Sequence, residues 1–211
     1  MSLSDRQIER YSRQIIVPGF GARGQERLLA ARLRIIGTAD DMTPIIPYLA
    51  GAGFGAISIG FSSGHLDFSA LAGLNSDCSI TIDLDGSASD LALILIGDKE
   101  SLEAARAEIS SAPWRPSIVA RLDHPARIAI APAPPPCPRC IGILDSPFAT
   151  RDGTATVVAM AAAVETIKLA AGSEKDPVAE AALITFDNYD SQASSISTAA
   201  AKLCSCGMAR R

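Results

Sequence analysis

The sequence predicts a doubly wound α/β fold of the Rossmann type, with a mostly parallel sheet and helices on both of its faces. Three observations indicate this fold: short apolar runs typical of buried strands, helix-forming segments between several of them, and a strand–helix–strand unit near the N-terminus. At 211 residues the chain is long enough for one domain with a large core. We therefore expect residues 1–211 to form a single domain.

The first 32 residues are predicted to be helical and to precede the sheet as an N-terminal extension. Ser4 and Asp5 have the chemistry of a helix N-cap, and a second helix is predicted over Gly24–Arg32. Strands follow wherever short apolar runs occur, at Leu33–Gly37, Ala56–Gly60, Ser79–Leu84, Leu91–Ile96, Ser117–Arg121, Arg127–Ala131 and Ala182–Phe186. The other helices are predicted at Pro44–Gly51, Glu100–Ser110 and Gly153–Ala171.

Composition excludes several classes of function. The net charge of -4 argues against a nucleic-acid-binding surface, which needs clustered Lys and Arg. The sequence contains no run of 18 apolar residues, so we predict no membrane span. Residues Met1–Arg10 are polar and lack the apolar stretch of a secretory signal. These features predict a cytoplasmic protein.

The distribution of charge is the most unusual feature of the chain. Between Arg34 and Lys99 there is no lysine or arginine. The same stretch contains eight aspartates, Asp40, Asp41, Asp67, Asp77, Asp83, Asp85, Asp90 and Asp98. A nucleotide-binding α/β protein normally holds phosphate groups in this part of the chain. The sequence therefore predicts an acidic environment where a phosphate site is expected.

A series of motifs occurs in a characteristic order along the chain: Arg10–Ile16, Gly19–Gln25, Tyr48–Gly55, Ile128–Cys140, Met160–Gly172, Phe186–Asp187 and Cys204–Gly207. Together they resemble the ThiF/MoeB/HesA (E1-like) family of ATP-using activating enzymes. The resemblance implies a Rossmann-like fold, a dimer that involves residues 1–32, and a ubiquitin-like carrier protein as partner.

The expected phosphate-binding turn differs from the family pattern. Family members have a glycine-rich turn after the first strand, where backbone N–H groups approach phosphate, but here Gly37 is followed by Thr38 and then by Asp40 and Asp41. Two like charges about 4 Å apart cost roughly 4 kcal/mol at an effective dielectric constant of about 20. We therefore expect Mg-ATP binding to be weak or lost. Two other roles for these aspartates are that they cap their own helix or that they hold Mg²⁺.

The remaining nucleotide contacts of the family are also missing from the middle of the chain. Gly60 stands where the resemblance leads us to expect an acidic residue for the ribose, and the family's phosphate-binding Asn, Arg and Lys have no counterparts. The family's Mg²⁺-binding aspartate falls at Gly97 or Asp98. Asp98 is thus a candidate remnant of that site, with an ordinary surface aspartate as the alternative.

One catalytic residue of the family is retained. In family dimers the second arginine of the opening motif reaches the ATP site of the other subunit, and that position matches Arg13 here. A guanidinium suits this role because it stays charged and can bind two phosphate oxygens. The resemblance therefore predicts Arg13 as a finger that acts in trans on a partner, and the alternative is an ordinary helix charge or salt bridge.

Two cysteine pairs predict a structural zinc site. Cys137 and Cys140 have the Cys-x-x-Cys spacing of zinc ligands, and Cys204 and Cys206 form a second pair near the C-terminus, as in the family. The second pair has one intervening residue where the family has two. Four reduced thiols without metal are the alternative.

These observations support two main interpretations. The first is a degenerate E1-like protein that cannot adenylate alone and serves as a homodimeric or heterodimeric binding subunit, with a ubiquitin-like carrier or an E1-like relative as partner. The alternative is an active adenylyltransferase that activates the C-terminal carboxylate of such a carrier. A nicotinamide-dependent oxidoreductase is a third interpretation, but the chain lacks the Gly-x-Gly-x-x-Gly motif. The sequence leaves open whether the chain is an enzyme.

Overall fold

The computed structural model describes residues 2–71, 73–83, 89–132, 137–172, 181–187 and 190–195. Its helices are α1 (Asp5–Arg10), α2 (Ser12–Ile15), α3 (Gly21–Ala30), α4 (Ala39–Met42), α5 (Ile46–Ala52), α6 (Phe68–Leu71), α7 (Lys99–Ser111) and α8 (Ala155–Ala171). Its strands are β1 (Arg32–Gly37), β2 (Ala56–Phe61), β3 (Ser79–Ile82), β4 (Leu91–Ile96), β5 (Ser117–Arg121), β6 (Ala126–Ala131), β7 (Ala182–Asp187) and β8 (Asp190–Ser195).

The strands form one sheet in the order β3-β2-β1-β4-β5-β6-β7-β8. The first five strands in that order are parallel to one another, whereas β6, β7 and β8 pair antiparallel. The chain passes from β1 to β2 and β3 on one side and returns to the other side of β1 as β4. This reversal between β1 and β4 is the topological switch point, where doubly wound proteins bind ligands beyond the carboxyl ends of the strands.

Helices cover both faces of the sheet, so the predicted doubly wound architecture is confirmed. Successive side chains of a strand point to opposite faces, and β4 shows this clearly because its six residues are all buried. One apolar cluster contains Leu91, Leu93 and Leu95 together with residues of α3, α5 and α8. The other contains Ala92, Ile94 and Ile96 together with residues of α7. An unbroken apolar strand is therefore explained by burial on both sides.

The N-terminal helices are hydrogen-bonded to the loop that precedes β3. Tyr11 is buried, its hydroxyl accepts a hydrogen bond from Asn75 Nδ2 (2.8 Å), and the same hydroxyl donates to Asp77 (3.1 Å). Burial raises the pKa of Tyr11. Ser4 and Gln7 form a capping box at the start of α1, which confirms the predicted helix start.

The turn between α5 and β2 lies unusually close to α3. The Gly55 amide donates to the Leu28 carbonyl (3.1 Å), and a Cβ atom at Gly55 would lie 2.0 Å from the Leu29 carbonyl oxygen. No side chain fits at that distance, because real Cβ contacts are longer than 3.0 Å. Glycine is therefore required at Gly55 for the packing of α3 against the sheet.

Several boundaries differ from the sequence prediction. The helix predicted at Pro44–Gly51 begins at Ile46 and is preceded by the separate short helix α4, and Arg32 belongs to β1 instead of the preceding helix. Strand β8 was not predicted, because Asp190–Ser195 is polar and shows no apolar alternation. Cys204 and Cys206 lie outside the described residues. Among the described helices, none combines the length and the apolar character needed to cross a bilayer.

Candidate functional site at the switch point

The loops after β1 and β4 meet at the switch point, and Asp41 lies between them. Asp41 is only 2% exposed. Thr38 is the N-cap of α4, because its hydroxyl accepts a hydrogen bond from the Asp41 amide (3.2 Å), and the same hydroxyl donates to Asp41 Oδ2 (2.7 Å). The interpretation that Asp40 or Asp41 caps its own helix, predicted at Pro44–Gly51, is therefore wrong. Thr38 caps α4, and Ile45 precedes α5 without a side-chain capping hydrogen bond. The Asp41 carboxylate is instead turned inward.

The Asp41 carboxylate occupies the space beyond the end of β4. A Cβ atom at Gly97, the first residue after β4, would lie 1.8 Å from Asp41 Oδ2. Close approach of Asp41 to the backbone thus requires glycine at Gly97. Gly37, which ends β1, is less crowded, since a Cβ atom there would lie 3.0 Å from Leu95 Cβ. The Asp41 carboxylate therefore covers Gly97, whereas Gly37 packs against the neighbouring strand β4.

Asp98 serves as the N-cap of α7. Its carboxylate accepts hydrogen bonds from the Ser101 amide (2.7 Å) and hydroxyl (2.7 Å), and Ser63 donates to it at 3.4 Å. Burial opposes ionisation of Asp98, but these hydrogen bonds outweigh it and lower the pKa of Asp98. The role of Asp98 as the N-cap of α7 is therefore sufficient to explain an aspartate at this position. Asp40, the remaining candidate, is exposed at the surface.

A cation reaches this acidic site from a distant part of the sequence. Arg151 Nη2 donates to Asp41 Oδ1, and the side chain of Arg151 is 45% exposed whereas that of Asp41 is 1% exposed. The hydrogen bond to Asp41 raises the pKa of Arg151, with further contributions from Asp40 and Asp98. The acidic environment predicted for this site is therefore partly neutralised by a cation. Arg151 lies outside the stretch between Arg34 and Lys99 that contains no lysine or arginine, 110 residues after Asp41.

Arg151 belongs to residues 146–152, which run from the end of β5 to the ends of β4 and β1; we name this segment the strap. Its first part is held by Arg121, whose Nη1 donates to the Ser146 carbonyl (2.7 Å) and whose Nη2 donates to the Pro147 carbonyl (2.9 Å). Arg121 is fully buried and also donates Nε to Asp123 (2.8 Å).

Asp123 completes this anchor of the strap. Its carboxylate accepts a hydrogen bond from the Ala149 amide (2.9 Å). Burial opposes ionisation of Asp123, but the hydrogen bonds from Arg121 and Ala149 outweigh it and lower the pKa of Asp123. Arg127 lies beside this pair, and burial together with the charge of Arg121 lowers the pKa of Arg127. Nothing in the local sequence indicated that an arginine at the end of β5 would be buried.

The far end of the strap leads into α8 through Asp152. Its carboxylate accepts hydrogen bonds from the Thr154 amide (2.7 Å) and hydroxyl and contacts His124 Nδ1 at 2.8 Å. These contacts, those of Thr154 first, lower the pKa of Asp152 to about 2. The side chain of His124 is 58% exposed, as expected for a histidine in a polar loop.

The Cys137–Cys140 pair lies on the face of the sheet that α7 covers. Cys137 is buried, Cys140 is partly exposed, and their sulfur atoms are 3.6 Å apart. That separation is far longer than the S–S bond of a disulfide, about 2.05 Å. Two thiolates on one tetrahedral zinc ion would be about 3.8 Å apart, so the pair fits half of such a site. Within the described ranges, no group of three or more metal-binding side chains is present.

Arg13 lies on α2. Its side chain is exposed, and among the described residues it makes no hydrogen bond or ion pair. Large apolar side chains are also exposed on or near the N-terminal helices, namely Ile8, Ile16, Val17 and, from α5, Tyr48. The N-terminal segment thus presents both a charge and an apolar surface to solvent.

The chain resembles known proteins over one part of its sequence. No protein-family model matches it. It is similar to the adenylyltransferase and sulfurtransferase uba4 of Ogataea parapolymorpha, with 46% identity over 59 residues that cover 28% of this chain and 15% of the relative. A probable adenylyltransferase/sulfurtransferase MoeZ of Mycobacterium tuberculosis is 45% identical over 58 residues, again 28% of this chain and 15% of the relative. The match therefore spans a small part of these longer proteins.

The structural similarity extends over almost the whole chain. E. coli MccB superimposes with a TM-score of 0.70 and 16% identity, covering 93% of this chain and 74% of MccB. PaaA superimposes with a TM-score of 0.60 and 15% identity, covering 92% of this chain and 75% of PaaA. At this level of identity the structures show that the fold is shared. Together, the shared fold and the matched segment support the resemblance to the ThiF/MoeB/HesA (E1-like) family.

Proposed function

We propose that this chain is a degenerate E1-like protein that cannot adenylate a substrate alone and serves as a binding or assembly subunit in the activation of a ubiquitin-like sulfur carrier or modifier. One observation carries this proposal. The Asp41 carboxylate lies against Gly97 at the switch point, where a doubly wound protein places its ligand. A phosphate group bound against Gly97 would have to displace this carboxylate.

Electrostatics support the same conclusion. Arg151 is already paired with Asp41, and Asp40 and Asp98 add negative charge around it. A triphosphate would therefore meet an excess of carboxylates and one cation that is already engaged. Each tenfold loss of affinity requires only about 1.4 kcal/mol, so modest repulsion is enough to remove useful binding.

The exposed N-terminal surface supports a dimer. Ile16 is 77% exposed and Val17 is 50% exposed. Exposed apolar patches on a protein surface are typical of protein–protein interaction sites. A second copy of this chain or an E1-like relative would cover them. In such a dimer Arg13 would be free to reach the partner's nucleotide site, and the ubiquitin-like carrier would bind to the assembly.

Calorimetric titration of the purified chain with Mg-ATP tests the central proposal. We expect no saturable heat at up to about 1 mM ATP, which corresponds to a binding free energy weaker than about -4 kcal/mol. Binding in the micromolar range would contradict the proposal.

The alternative function is an active adenylyltransferase for the C-terminal carboxylate of a carrier protein. The names of the curated relatives favour it, and MccB has been solved with ATP. Carrier-dependent exchange of pyrophosphate into ATP by this chain alone would establish that alternative, because only reversible adenylation produces it. We expect no exchange above the background without protein.

We further propose that Cys137 and Cys140 hold a structural zinc ion together with Cys204 and Cys206. The sulfur separation of 3.6 Å in the first pair supports this proposal. Metal analysis of the purified chain is expected to find about one zinc per chain, and a Cys137→Ser variant is expected to lose it. A Cys78→Ser variant is the matched control, since Cys78 belongs to neither pair. Zinc retained after Cys137→Ser, or absent from the wild type, would contradict the assignment.

A further inference from the structure

Two arginine–aspartate ion pairs of unequal burial hold the strap, residues 146–152, which also pairs with Asp123 through a backbone bridge at Arg151. At its first part, Arg121 and Asp123 are both almost fully buried, with side chains 0% and 3% exposed. At its far part, the buried Asp41 is paired with Arg151, whose side chain is 45% exposed. Water can therefore reach one partner of the second ion pair but neither partner of the first.

The Asp41–Arg151 ion pair is also the one that closes the switch point. Arg151 approaches the end of β4 closely, with Nη1 2.9 Å from where a Cβ atom of Gly97 would lie, and Asp41 lies between Gly97 and Thr38. A ligand that reaches Gly97 must first displace the Asp41 carboxylate. The strap and the loop after β1 are thus joined directly over the crevice.

We propose that the Asp41–Arg151 ion pair is a latch that holds the far part of the strap closed over the switch point. Asp41 acts as the chain's own anionic occupant of this site, and Arg151 holds it there. The latch rests on the proposed function in one respect, namely that the site is closed to nucleotide. Its mechanical role concerns the free protein alone.

The backbone hydrogen bonds of the strap allow the latch to be measured separately from the buried anchor. The Asp152 amide donates to the Leu122 carbonyl (2.7 Å), and it follows Arg151 directly. The Ala149 amide donates to the buried Asp123 carboxylate (2.9 Å). Release of the latch should therefore expose the Asp152 amide to solvent while the Ala149 amide stays protected.

Amide hydrogen exchange followed by NMR tests the latch on the full chain without nucleotide. Asp41→Asn is expected to accelerate exchange of the Asp152 amide about tenfold or more, the effect of losing one charge-assisted hydrogen bond. Arg151→Gln should give the same acceleration from the other side of the pair. Asp40→Asn is the matched control, because it removes the same charge from the exposed neighbouring residue and should change the rate less than about twofold.

Two outcomes would overturn the latch. One is unchanged exchange of the Asp152 amide in both variants. The other is equal acceleration at Ala149 and at β4 residues such as Leu93, which would show a general loss of stability. Neither depends on ATP, so nucleotide binding by the wild type would contradict the proposed function without altering this result.

Discussion

Replacing Arg121 by methionine is expected to lower the free energy of unfolding by about 3–5 kcal/mol, the usual cost of leaving one member of a buried ion pair alone. Methionine has a similar length but carries no charge, so Asp123 would remain buried without its cation. The carbonyl oxygens of Ser146 and Pro147 would also lose their donors. Urea denaturation followed by circular dichroism at neutral pH measures the change.

Two further variants identify the cause of this loss. The double variant Arg121→Met/Asp123→Leu removes both charges and should be more stable than the single variant, because no isolated buried charge remains. Arg106→Met removes an arginine whose side chain is 40% exposed and should cost less than about 1 kcal/mol. A double variant as unstable as Arg121→Met would show that the lost carbonyl hydrogen bonds and packing, and not the uncompensated charge of Asp123, account for the effect.

Arg13→Ala is expected to reduce stimulation of an intact E1-like relative by this chain about 100-fold to 1,000-fold, the usual effect of removing one donor that stabilises transition-state charge. The physical reason is the loss of a fixed guanidinium next to the phosphate groups in the partner's site. The measurement is the rate of pyrophosphate release by the relative with its carrier protein and Mg-ATP, with and without this chain.

The choice of controls separates catalysis from assembly. Arg6→Ala removes another exposed charge of the N-terminal helices and should leave stimulation unchanged. Arg13→Lys keeps the charge without the planar fork and should give an intermediate rate. Both variants should still form the dimer by size-exclusion chromatography. Equal stimulation by wild type and Arg13→Ala, or no stimulation by the wild type, would contradict a finger that acts in trans.

Most of the fold could be predicted because its signals are local. The apolar run of β4 indicates a strand buried on both faces, and Ser4 followed by Asp5 indicates the start of a helix. Strand β8 could not be predicted in this way. Its residues are polar, and its structure comes from pairing along β7 from Ala182↔Ser195 to Asp187↔Asp190.

The site was predicted only in part, because its decisive contacts join residues that are far apart in the sequence. The acidic turn after β1 was visible from Asp40 and Asp41. The cation that pairs with it is Arg151, and the burial of Arg121 depends on carbonyl groups that lie 22 to 26 residues further along the chain. Counting the charged residues close in sequence to the turn reveals neither contact. The fold creates them by bringing the strap to the ends of the strands.

Gly55 bears on how similarity to catalytic relatives is interpreted. Glycine is fixed there by the Leu29 carbonyl oxygen, 2.0 Å from where a Cβ atom would lie, and this constraint is independent of any nucleotide. A descendant that stopped using ATP would keep this glycine for as long as it kept its shape. Sequence identity around such a residue is therefore evidence of a shared fold. Evidence of a shared reaction has to come from the side chains that contact the reactants.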